Sequence, residues 1–107
     1  MPQPDIPQAC LLTISCPGKL EEEFIDLFRA YPQWVNGFTS LQAEGFGTGT
    51  RLHSSMEQVR GRSQRRILQV VLDTEHVEPL LVALREQIPS SEVAWWTTPV
   101  SGFGRFG

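Results

Sequence analysis

A chain of 107 residues, 40% hydrophobic and 20% charged, is sized and composed for one domain with its own core, which excludes disordered and fibrous classes. A formal charge of -3 excludes general nucleic-acid affinity, because phosphate neutralisation needs a basic surface. No apolar run reaches the roughly 20 residues of a membrane span and MPQPDIPQAC is no secretory signal, so a cytoplasmic protein that is not membrane-embedded is expected.

Residues 1–8 carry three prolines and read as a loose lead-in to one domain over 9–107. In the first predicted strand Cys10, Leu12, Ile14 and Cys16 alternate with Leu11, Thr13 and Ser15, until Pro17-Gly18 stops it. Leu20, Phe24, Leu27, Phe28 and Tyr31 then fall at helical spacing, with Glu21, Glu22 and Glu23 where carboxylates suit the helix dipole. This helix ends before Pro32. A second strand is expected from about Gly37 to Phe46 and a third, RRILQVVL, from Arg65 to Leu72. Val77, Leu80, Leu81, Leu84 and Ile88 mark a second amphipathic helix that stops before Pro89, and EVAWWTTPV supplies a fourth strand.

The order βαββαβ predicts an α+β, ferredoxin-like sandwich, a four-stranded antiparallel sheet with two helices on one face and the first and third strands central. The other face is not very polar: the third strand offers Leu68, Val70 and Leu72 to one side and Ile67 and Val71 to the other, and Trp95 and Trp96 point opposite ways. Such a patch on a monomer predicts a homo-oligomer.

Several runs carry a family resemblance. ISCPGKLEEEFIDLF resembles the opening of PII signal-transduction proteins, and GFTSLQAEGFGTG matches their second strand, with Gly45-Phe46-Gly47 at the base of the T-loop. Residues 48–64 then correspond to the T-loop, and Pro99-Val100 followed by Arg105 to the tail and its first phosphate-contacting arginine. CLLTISCP, GFTS, EQVRGRSQRR and TPVSGFGR look more closely like a PII-like family often encoded beside heavy-metal efflux pumps. The resemblance implies a small, trimeric cytoplasmic regulator that is not an enzyme. The chain also departs from the PII pattern. The phosphate-binding loop of PII proteins is replaced by Pro89-Ser90-Ser91, their Arg-Gln pair after Gly-Phe-Gly by Thr48-Gly49, and their second tail arginine by Gly107, while the only tyrosine is Tyr31.

Five of the nine basic residues, Arg51, Arg60, Arg62, Arg65 and Arg66, lie in TRLHSSMEQVRGRSQRR. Guanidinium forks suit phosphate and carboxylate geometry, and polar loops this long in small domains are usually functional. The expectation is that Arg62, Arg66 and Arg105, with backbone amides from Gly45 and Gly47, bind a small anion such as an adenine nucleotide or bicarbonate. The loop, through Arg51 and Arg60, then contacts a partner such as a membrane transporter. The alternative is a metal-binding protein of the copper-tolerance type, built on the same trimer, with His53 and Met56 as soft ligands. Heavy-metal-associated domains use Cys-x-x-Cys after the first strand, but here Lys19 stands three residues after Cys16. Cys10 and Cys16 share the parity of Leu12 and Ile14 and are expected in the core as free thiols. RNA-recognition stacking is not expected, because the first and third strands lack aromatics.

Overall fold

The computed structural model describes residues 6, 8–46 and 63–107. β1 (Ala9–Pro17) leads through a single 3-10 turn, Gly18–Leu20, into α1 (Glu21–Ala30). β2 (Thr39–Gly45) and β3 (Ser63–Asp73) form an antiparallel pair, a second 3-10 turn leads into α2 (Val77–Gln87), and β4 (Ala94–Pro99) completes the set. The sheet order β2-β3-β1-β4 with all pairs antiparallel makes β1 and β3 central, as the ferredoxin-like reading requires.

The element ends follow local chemistry. β2 starts two residues later than expected, at Thr39, and β3 starts two residues earlier, because Ser63 and Gln64 pair with Gly45 and Glu44. The end of the expected loop is therefore already sheet. β4 starts at Ala94 and not at Glu92, because Ser90 turns the chain: its carbonyl accepts from Val93 N at 3.2 Å and its Oγ from Glu92 N at 3.2 Å. At the other end of β3, Asp73 caps the following turn by accepting from Glu75 N at 2.9 Å. The end of the lead-in is pinned there, since Thr74 donates to the Gln8 carbonyl through both N and Oγ1 at 2.9 Å.

Strand parity decides the core. Cys10, Leu12, Ile14 and Cys16 on β1 and Leu68, Val70 and Leu72 on β3 turn toward the helices and are buried against Phe24 and Phe28 of α1 and Leu80, Leu81 and Leu84 of α2. The opposite face carries Leu11, Ile67 and Val71, half-buried, and Trp96, 47% exposed. Thr13 on that face is nevertheless buried, because its register partners Trp96 and Gln69 flank it on either side.

Both cysteines are free and buried. Burial pushes the Cys16 thiol up from 9.0 to about 11, a rise opposed by the positive charge of Arg65 and then reinforced by Glu21. Burial likewise raises Cys10. In the folded chain Cys16 thus stays neutral where an unfolded thiol would ionise. Its contribution to stability is complete below pH 9 and is lost as pH rises toward 11. Urea unfolding at pH 8 and at pH 10.5 should show wild type losing roughly 2 kcal/mol more than Cys16→Ala over that interval. Equal losses in the two proteins would contradict the buried, neutral thiol.

Candidate functional site

The hairpin of β2 and β3 brings Gln42 opposite Arg66, Ala43 opposite Arg65 and Glu44 opposite Gln64, and these six residues line an open cleft of about 310 Å³. Because successive side chains on a strand leave by opposite faces, the two arginines separate at their own α-carbons. Arg66 shares the parity of Leu68 and Val70 and leaves on the helix side. Arg65 shares that of Ile67 and Val71 and leaves on the open side.

On the helix side Arg66 meets the first residue of α1, with Nε 3.3 Å from Glu21 Oε1. With its amide oxygen turned toward the guanidinium, Gln42 accepts from Arg66 Nη1 at 3.1 Å and Nη2 at 3.2 Å. Glu21 Oε2 also accepts from Ser40 Oγ, so α1, β2 and β3 are tied at one carboxylate. On the open side Arg65 reaches across β1. Its Nε donates to Ser15 Oγ at 3.2 Å, and Nη2 donates to Ser15 Oγ at 3.0 Å, to the Ser15 carbonyl at 2.9 Å and to the Glu92 carbonyl at 2.8 Å. Arg65 therefore fastens β3 to β1 and to the turn that precedes β4.

Of the expected anion ligands, the described Arg66 and Arg105 line different clefts within one chain. Gly45 ends β2 beside Ser63, at the edge of the cleft that Arg66 lines. Arg105 belongs to a second open cleft of about 280 Å³, shared with Asn36, Phe38, Gln69 and Phe103, where its guanidinium lies 5.3 Å from the Phe103 ring centroid. Gln69 lies three residues along β3 from Arg66, roughly 10 Å at strand rise, and on the opposite face. Gly47, Arg51, His53, Met56, Arg60 and Arg62 lie outside the described residues. Among the described residues no group of three His, Cys, Asp or Glu side chains is placed to hold a metal ion. No described helix is long and apolar enough to cross a membrane.

Sequence reading placed Arg65 among the basic residues of the loop but missed its anchoring role, and it missed the Glu21–Arg66–Gln42–Ser40 cluster. Strand parity held the signal. An arginine in phase with Leu68, Val70 and Leu72 must leave the core rim toward the helix layer, where the first carboxylate of α1 is its nearest complement.

Comparisons with known proteins agree with the topology. The profile of a family described as a protein of unknown function, DUF3240, matches residues 6–107. A crystal structure of a DUF3240 family protein from Shewanella baltica OS155 superposes with a TM-score of 0.75 at 15% identity, covering 92% of this chain and 97% of that one. CPII from Thiomonas intermedia K12, a nitrogen regulatory PII-like protein bound to ADP, AMP and bicarbonate, superposes with a TM-score of 0.69 at 19% identity, over 92% of this chain and 94% of its own. A protein from Thermus thermophilus, described as of PII-like signalling type, gives a TM-score of 0.61 at 23% identity, over 87% of each chain. The comparison with curated proteins returned no match. At these identities the likeness establishes the PII-like, ferredoxin-like fold.

The two arginines carry different weights. Arg65→Ala removes four hydrogen bonds and leaves two backbone carbonyls in a partly buried setting, with an expected loss of about 2 kcal/mol. Glu21→Gln weakens an ion pair with side chains 28% and 19% exposed, and the expected loss is about 1 kcal/mol or less. Urea unfolding of both variants checks the ranking, and a larger loss for Glu21→Gln would overturn it.

Proposed function

The chain belongs to the DUF3240 family, and on that premise we propose that it is a regulatory protein of the PII-like type, not an enzyme, which assembles as a homotrimer and takes a small anionic effector at the base of the β2–β3 loop. The observation that carries this reading is the split between the two arginine clefts. Each opens to solvent, each holds guanidinium and carboxamide groups, and they lie at different heights along β3. A ligand with several anionic oxygens is recognised best by forks from two directions. One chain cannot aim both at it, but a neighbouring subunit can bring its Arg105 to the first subunit's loop base.

The exposed apolar groups support self-association. Leu41, Phe46 and Trp96 are 46%, 66% and 47% exposed, and Trp96 lies on the open face with Ile67 and Val71. Burying them between copies removes apolar surface from water at about 25 cal/mol per Å². The ligand class is supported by CPII, whose structures hold ADP and AMP with bicarbonate or with acetate. All four are oxyanions, and the Phe103 ring beneath Arg105 suits a flat base or carboxylate. In this reading Arg62, with amides of Gly45 and Gly47, completes the loop-base half. Arg51 and Arg60 present the occupied state to a partner protein, for which a membrane transporter is the proposed class. The metal-binding alternative through His53 and Met56 gains no support from the described residues.

Calorimetry with ADP, AMP and bicarbonate tests the reading, together with subunit mixing. Arg62→Ala and Arg105→Ala should each abolish most binding, whereas trimers reassembled from an equal mixture should regain about a quarter of the sites, since each site draws on two subunits. Monomers in sedimentation, or no regained sites on mixing, would sink the shared-site reading.

A further inference from the structure

The helix layer leaves the β4 side of the sheet partly uncovered. Only the short connection from Ile88 to Val93 joins α2 to β4, and between them lies a groove of about 650 Å³, within the usual range of small-molecule sites. It is deep, because its inner wall includes Ile14, Phe24 and Leu84, three core side chains only 1–3% exposed. Ile88, Val93 and the indole of Trp95 continue the apolar lining outward, and Trp95 remains 47% exposed. An indole held half in water beside an empty apolar recess is surface that a ligand can cover.

The rim narrows the choice of ligand. Arg85 and Glu86, consecutive on the last turn of α2, both line the groove. Among the described residues neither side chain has a hydrogen-bonding or ionic partner. A neutral apolar ligand would strip water from two charges and return nothing to either. A simple carboxylate would suit Arg85 and meet Glu86, whereas a simple amine would suit Glu86 and meet Arg85. A molecule that bears both charges beside an apolar body satisfies all three surfaces, and the backbone of an interior polypeptide segment, whose amino and carboxyl groups are tied up in amides, supplies neither charge.

We propose that this groove binds a free apolar α-amino acid, with its side chain against Phe24, Ile88 and Trp95, its carboxylate on Arg85 and its ammonium on Glu86. The site is separate from the effector clefts and does not depend on them. It stands on the helix side, at the end of α2, and shares no lining residue with either arginine cleft. A chain of this design responds to two signals, an oxyanion at the loop base and an amino acid behind the sheet.

Titration of the full chain with L-leucine and L-phenylalanine, followed by heat and by tryptophan fluorescence, tests the proposal. The comparison ligands are 4-methylpentanoate, which is leucine without its amine, and 3-methylbutylamine, which lacks the carboxylate. Leucine should bind at least about tenfold more tightly than either, the worth of one charge-assisted contact. Arg85→Ala should erase its advantage over the amine and Glu86→Gln its advantage over the carboxylate; both residues are exposed, so the variants keep the fold. Binding should persist in Arg105→Ala, which separates this site from the effector site. The proposal is overturned if neither amino acid binds, if 4-methylpentanoate binds as well as leucine, or if both rim variants bind leucine like wild type.

Discussion

The two-residue period of the central strand β3 governs the rest of the molecule. Every residue on it has one face to choose, and the choice is fixed by Leu68, Val70 and Leu72, which cannot leave the core without exposing three large side chains. Arg65 and Arg66 inherit opposite faces from that requirement. One becomes a clasp across β1, the other an ion-pair partner for the start of α1, and the hairpin edge they share becomes a cleft.

This arrangement also fixes how the layers meet. The Glu21 carboxylate sits in the first turn of α1, where the helix dipole favours it, and accepts from both β2 and β3. At the far end of β3, Asp73 and Thr74 tie the approach to α2 to the lead-in at Gln8. The core between these two ties is aliphatic except for Phe24, Phe28 and the thiols of Cys10 and Cys16, and Phe28 extends it through an edge-on contact with Phe38, 5.1 Å between centroids. Phe38 in turn lines the cleft that holds Arg105. Core packing and the position of the second arginine are thus mechanically continuous.

Most of the fold was legible because apolar periodicity and proline stops are local signals. The alternation of Cys10, Leu12, Ile14 and Cys16, the helical spacing of Phe24 and Phe28, and Pro32 and Pro89 placed every described strand and α-helix to within two residues. The errors fell where hydrogen bonds rather than side-chain patterns set the boundary: Ser63 and Gln64 look like loop but complete the ladder to β2, and Ser90 delays β4 by closing a turn. The site was less legible because it depends on which face a charge leaves by and on what lies across the sheet. Arg66 and Arg105 read as partners through family likeness, whereas within one chain they line different clefts. The groove beside Trp95 had no sequence signature at all, since it arises from the length of a connection.

Arg66 already has a carboxylate partner in Glu21, and this bears on the proposed effector site. An incoming anion at the loop base meets a guanidinium whose charge is largely balanced by Glu21, so that arginine alone offers little net field. Under the shared-site proposal, the additional cation is Arg105 of a neighbouring subunit. A ligand held by two subunits binds the assembled state and not the separated one, so its binding free energy also strengthens the assembly. In the proposed trimer, effector occupancy and subunit contact would therefore be one equilibrium.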